Sequence, residues 1–215
     1  MYKLFADCEN LTEINGIDTF NTSKVTEIRN LFSGCASLIN LPKTLNWDIG
    51  KVWRMSELFS NCKSLIEIPD ISKWNTNNVT LMNKLFENCQ SLRTIQDIKC
   101  WDTRNVTNMS HMFHNCEKLE KLPDISLWDI SNVGVLSNMF SYCKSLKNIP
   151  DISEWNTRNV KIFDYLFFHC ESITAFPNIL NWDFKNVKSM KCMFDSCLKV
   201  KSFPKIYIKK LEKKN

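Results

Sequence analysis

Ser64-Leu65-Ile66-Glu67-Ile68-Pro69-Asp70-Ile71-Ser72-Lys73-Trp74-Asn75-Thr76-Asn77-Asn78-Val79-Thr80-Leu81-Met82-Asn83-Lys84-Leu85-Phe86-Glu87-Asn88-Cys89 is one period of a pattern that runs through the chain. Cys8, Cys35, Cys62, Cys89, Cys116, Cys143, Cys170 and Cys197 stand 27 residues apart without an insertion or deletion. A phenylalanine lies three residues before each, from Phe5 and Phe32 to Phe194, and an aliphatic residue three after each, from Leu11 to Val200. Twelve residues after the cysteine comes Phe20, then Trp47, Trp74, Trp101, Trp128, Trp155 and Trp182. Such registers define an internal repeat, and a repeat has to be recognised before any single motif is weighed.

Each unit divides into two halves. Val79, Met82, Leu85, Phe86 and Cys89 fall on one face at helical period, so this half is expected to be a short helix. Thr76, Asn77 or Asn78 would cap it by accepting its free backbone N–H groups. The other half, Ser64 to Ile71, meets Pro69, which would break a helix, and reads as a short extended segment. Neither half can bury its apolar face alone, whereas stacked copies can. The expected fold is an α/β solenoid, a leucine-rich-repeat-like right-handed superhelix. Each 27-residue repeat would add one short parallel strand and one short helix. Residues 1–208 would form a single solenoid of eight repeats, and 209–215 a basic tail.

The block Leu65-x-x-Ile68-Pro69-Asp70-Ile71-Ser72-x-Trp74-Asn75-Thr76-x-Asn78-Val79-Thr80-x-Met82-x-x-Leu85-Phe86-x-Asn88-Cys89 resembles BspA-type leucine-rich repeats. Those repeats occur in surface proteins of host-associated bacteria, mycoplasma surface lipoproteins and protist proteins. The likeness covers Met1 to about Ile206. It implies a leucine-rich-repeat fold and an adhesive or protein-binding surface. The cysteine ending each unit departs from that pattern, in which alanine or another small residue is common.

Bulk properties narrow the class. The 215 residues are 44% hydrophobic and 24% charged, ordinary for a soluble folded domain. The net charge of +5 resides partly in Lys209, Lys210, Lys213 and Lys214, and reads as a solvated tail. Charge otherwise alternates in sign, which gives no stripe for nucleic acid. No apolar run approaches the ~20 residues of a membrane span, and no signal peptide is visible. Met1 occupies the register of Met55, Met82, Met109 and Met190, so the first repeat is read as incomplete and the chain as part of a longer array, or else a monomer. Phe203-Pro204-Lys205-Ile206-Tyr207-Ile208 reads as an end.

Several positions invite chemistry. The in-register cysteines are expected to be free, buried thiols and not a disulfide or zinc framework, since no Cys-x-x-Cys or paired histidine set exists. Cys100 and Cys192 lie outside the register, with Cys192 expected to be the more exposed. Asp70, Asp97, Asp124 and Asp151 share one position, replaced by Lys43, Asn178 and Lys205 at the ends. They would either bind calcium or a basic partner, or, the favoured reading, accept bonds from their own turns. Asn21, Asp48, Asn75, Asp102, Asp129, Asn156 and Asp183 follow the aromatic and are expected to form a buried turn ladder. His111 and His114 read as a solvated pair, and His169 as unremarkable. Asn10, Asn21, Asn78, Asn105 and Asn108 carry Asn-x-Ser/Thr, an acceptor only in a secreted chain.

No phosphate loop, nucleophile motif or triad stands out, and identical repeats do not assemble unlike groups at one spot. The expectation is therefore a non-enzymatic chain without cofactor or metal. Glu67, Arg93, Lys121 and Lys147 lie between the leucines of the extended half and differ between repeats. By the leucine-rich-repeat analogy they would face a concave side and contact a protein or glycan partner. Two functions stay open: an adhesion or recognition protein at the cell surface or outside it, or a cytoplasmic scaffold.

Overall fold

The computed structural model describes residues 1–203, so the basic segment 209–215 and Lys205 lie outside the described residues. Its 27-residue periodicity becomes a stack of parallel rungs. The N–H groups of Met82, Lys84, Phe86 and Asn88 donate to the carbonyls of Asn108, Ser110, Met112 and His114 in the next repeat, at 2.8–3.1 Å. One repeat earlier, Met55, Glu57, Phe59 and Asn61 donate to Leu81, Asn83, Leu85 and Glu87 in the same register. Parallel bridges run without a gap from Glu27 through Arg54, Leu81, Asn108, Val135 and Ile162 to Ser189.

The helix expected over Val79 to Cys89 does not form. Among the described residues the one helical element is the 3-10 turn Ile17–Thr19. Spacings of three and four also fit consecutive tight turns, and turns are what the chain uses. Cys62 donates to the Phe59 carbonyl and Cys89 to that of Phe86, each closing a four-residue turn at 3.2 Å. The third residue of such turns has positive φ: 62° at Asn61, 58° at Asn88, 58° at Asn115 and 79° at Gly34. Asparagine and glycine tolerate that region best, which explains their place before the cysteine. A second positive φ occurs four residues earlier, at Glu57, Lys84, His111, Asn138 and Tyr165. A helix would keep its N–H bonds inside one unit. Here alternate N–H groups point along the stack, and each unit depends on the next.

Thr76 to Asn78 accordingly cap nothing. The Thr76 hydroxyl donates to the Asp102 carbonyl at 3.0 Å, and the Asn78 amide to that of Gly50 at 2.6 Å. Asn105, Asn132, Asn159 and Asn186 repeat the second bond, each reaching back one repeat.

The extended half fares better. Arg93 donates to the Ile66 carbonyl, Glu120 to Arg93 and Lys147 to Glu120, at 3.1–3.3 Å. Among the described residues the bridges here are the isolated pairs Glu67 with Thr94 and Thr44 with Asp70, so the run is extended and parallel without a continuous strand. One strand plus one helix per repeat is thus corrected to an extended half stacked with a turn half.

Side-chain columns fill the interior. Phenylalanines stack from Phe5 to Phe194 with ring centroids 5.4–5.8 Å apart, nearly parallel. The indole N–H groups of Trp47, Trp74, Trp101, Trp128, Trp155 and Trp182 donate to carbonyls of the previous repeat, such as Leu45 for Trp74 at 2.8 Å. Buried indoles thereby leave no donor unpaired.

Two measurements check this account. Far-UV circular dichroism will lack the helical double minimum. Asn88→Val will cost about 1–2 kcal/mol more in chemical denaturation than Asn88→Gly, because both remove the amide but only valine resists positive φ.

Candidate functional site

The exposed side of the extended half carries the candidate contact residues, and its geometry sorts them. Arg93 and Lys147 stand four residues after their cysteines, in a backbone-bonded column with Ile39, Ile66 and Glu120. Glu67 and Lys121 stand five after, in the neighbouring column. All four are exposed. Lys121 and Lys147 meet in a groove of about 800 Å³ floored by Leu122, Pro123, Ile149 and Pro150. Arg93 borders a smaller one of about 430 Å³ beside Ile39 and Ile66, and Glu67 lines neither. The four therefore do not form one row.

Within the larger groove Lys147 pairs with Glu120 at 2.7 Å. That hydrogen bond and charge hold the Glu120 carboxyl below its ordinary range. Glu120 was not among the sequence candidates, although it lies 27 residues before Lys147, where stacking must place it. Asp97, Asp124 and Asp151 complete the rim.

Those aspartates serve their turns. Each of Asp70, Asp97, Asp124 and Asp151 accepts the backbone N–H two residues on, at 3.0 Å, and Asn178 does the same. Hydroxyl and then backbone bonds from Ser72 and Ser126 lower the Asp70 and Asp124 carboxyls; at Asp151 the Ser153 backbone bond leads. Among the described residues, no three His, Cys, Asp or Glu side chains converge to hold a metal ion. The row after the aromatic also caps turns, as Asp129 does for the Ser131 N–H at 2.8 Å and Asn75 for that of Asn77 at 3.2 Å. Its members are exposed or half-buried, so the ladder is not the buried one expected.

The ten cysteines are free. From Cys35 to Cys197 the in-register thiols are buried, and each donates to the phenylalanine carbonyl of the previous repeat at 3.0–3.2 Å. Cys8 and Cys100 are exposed, whereas Cys192 is half-buried, which reverses the order expected for the last two. Burial foremost pushes the thiol of Cys35 up to about 11 and those of Cys143 and Cys197 to about 12.

His111 and His114 are half-buried and not solvated. His114 Nδ1 lies 2.6 Å from the Ser141 hydroxyl, and buried His111 Nδ1 has no hydrogen-bond partner. Desolvation, the largest cause in each, lowers both imidazoles. His169 stacks on Tyr142 at 4.9 Å, with its Nδ1 3.2 Å from Glu171.

The thiol shifts set a pH window. At neutral pH the buried thiols are protonated in both folded and unfolded chains. Above the unfolded value near 9.0 only the unfolded chain releases protons, so stability falls as pH climbs toward 11–12. Denaturation midpoints across this range will fall less steeply for Cys143→Ala than for the parent chain. Alkylation under native conditions will mark Cys8 and Cys100 first.

No helix among the described residues is long and apolar enough to cross a membrane. The chain is similar in structure to the leucine-rich repeat protein of T. pallidum, at 18% identity over 73% of this chain and 74% of that one, with a TM-score of 0.38. It is also similar to a leucine-rich repeat protein from Bacteroides ovatus, at 17% identity over 93% and 68%, with a TM-score of 0.34. No curated protein matches it. The family described as "Mycoplasma protein of unknown function, DUF285" matches residues 1–121 and, in an overlapping register, 93–207, and the chain belongs to that family.

Proposed function

We propose that this chain is a non-enzymatic recognition surface of the BspA-like leucine-rich-repeat type, displayed at a cell surface and binding a protein or glycan partner along its extended half. The observation that carries this reading is the contrast between columns. Phenylalanine, cysteine, tryptophan and the turn asparagines recur because the stack needs them. The exposed column four residues after the cysteine runs Thr12, Ile39, Ile66, Arg93, Glu120, Lys147 and changes character along its length. Adjacent apolar and charged groups bordering one groove suit a partner that buries the first and pairs with the second.

A second reading, an intracellular scaffold, draws on the ten free cysteines, since unpaired thiols persist best in a reducing compartment. Counting free thiols by mass spectrometry on protein from its native source discriminates the two. Oxidation of the exposed Cys8 and Cys100 favours the surface reading, and ten reduced thiols favour the scaffold.

The exposed side of the extended half is tested by charge reversal. Reversing Glu67, Arg93, Lys121 and Lys147 together, once a partner is in hand, will weaken binding at least about tenfold while leaving the thermal midpoint in place. Unchanged affinity in that variant rejects the exposed side of the extended half as the contact surface.

A further inference from the structure

Six of the seven tryptophans are 2–4% exposed and hydrogen-bonded inside the stack; Trp53 is 39% exposed. It stands nine residues before Cys62, where the other repeats place Thr26, Thr80, Thr107, Gly134, Lys161 and Lys188. Its backbone does what any residue there does, donating to Thr26 and accepting from Thr80 at 3.0 Å each. The fold therefore has no use for the indole.

Its surroundings are equally particular. The Arg54 guanidinium lies over the Trp53 ring at 4.6 Å, and that of Arg29 over the exposed Tyr2 ring at 4.1 Å. Glu27 takes the Arg29 Nε at 2.7 Å and is the bridge partner of Arg54 on the next rung. Arg54 itself has no ion pair or side-chain hydrogen bond among the described residues. A guanidinium held over a ring is already partly ordered and loses little freedom when it captures an anion. Tryptophan, tyrosine and arginine are also the residues on which protein contacts most often depend.

We propose that Tyr2, Arg29, Trp53 and Arg54 form a docking surface for an acidic peptide segment of a partner protein. A carboxylate sits in the fork of Arg54, and a neighbouring apolar side chain packs on the Trp53 indole. A carboxylate is favoured over a phosphate because Glu27 already neutralises Arg29 and repels a dianion beside it. One free planar fork matches one carboxylate. This surface lies on the ladder of the turn half, apart from the groove of the extended half, and stands whether or not that groove binds anything.

The test uses the full chain and a fluorescein-labelled heptapeptide of alternating glutamate and leucine, read by fluorescence anisotropy at about 0.1 M salt. Counterparts carry glutamine or phosphoserine in place of glutamate. Binding of the glutamate peptide is expected, weakened about tenfold by Trp53→Thr, by Arg54→Gln and by the glutamine exchange. Lys161→Gln, in the same column as Trp53, is expected to change nothing. Trp53→Thr installs the residue the neighbouring repeats carry, and an unchanged thermal midpoint will show that it folds. No binding of the glutamate peptide, no effect of Trp53→Thr, an equal loss in Lys161→Gln, or tighter binding of the phosphoserine peptide each overturns the proposal.

Discussion

Everything in this fold hangs on one backbone arrangement: alternate N–H groups of a rung donating to carbonyls 26 residues further on, as Phe86 does to Met112. Inside a helix those donors would be satisfied within the unit. Here they are satisfied only by the neighbour, so no repeat has a complete set of bonds by itself. The strict period of 27 follows. One inserted residue in the turn half would move Phe86 out of its stack with Phe59 and Phe113, and would leave the Cys89 thiol without the Phe59 carbonyl. Register errors cost every column at once.

Side chains tie the same neighbours together in the opposite direction. Cysteine thiols, tryptophan indoles and the asparagines preceding each Val all donate to carbonyls of the preceding repeat, as at Cys62, Trp101 and Asn105. A turn leaves carbonyls with spare lone pairs, and these donors use them. The Phe59 carbonyl accepts both the Cys62 N–H of its own turn and the Cys89 thiol of the next repeat. Cysteine suits that place for a reason beyond size. Alanine would fill it without donating, and serine would carry a stronger hydration cost into a wholly apolar column.

The 27-residue repeat and its core columns were legible in the residues, because identical spacing leaves little freedom in how copies stack. The turn half was not. Val79, Met82, Leu85, Phe86 and Cys89 satisfy a helical period, and that period alone cannot separate a helix from successive tight turns closed every three residues. The separating signal was present in a different column: Gly34, Asn61, Asn88 and Asn115 stand directly before the cysteine, where a helix gains nothing from them and a positive φ does. The four candidate contacts are exposed, but their division between two columns was not legible. That division depends on which residue of the extended half faces which way, and five successive residues of one local run give no independent sign of it. Trp53 escaped notice because it is a tryptophan among tryptophans; only its position outside the register of Trp47 and Trp74 marks it.

Such a stack separates what can vary from what cannot. Each buried column is bound to its copies above and below, so a change there is felt in two neighbours. An exposed position such as Trp53 or Lys147 offers its backbone to the ladder and leaves its side chain free of the stack's demands. Two of the structure's own features show how far that freedom extends. Tyr142 and His169 occupy the positive-φ position that suits asparagine, at 58° and 57°, and stack on each other across the rungs at 4.9 Å. The backbone cost of each ring is met by contact with the next, so even a strained column accepts bulky residues once two adjacent repeats change together. Neighbouring repeats are therefore the natural unit of surface variation: exposed side chains pair across adjacent rungs, as Tyr2 with Arg29 and Glu120 with Lys147 do.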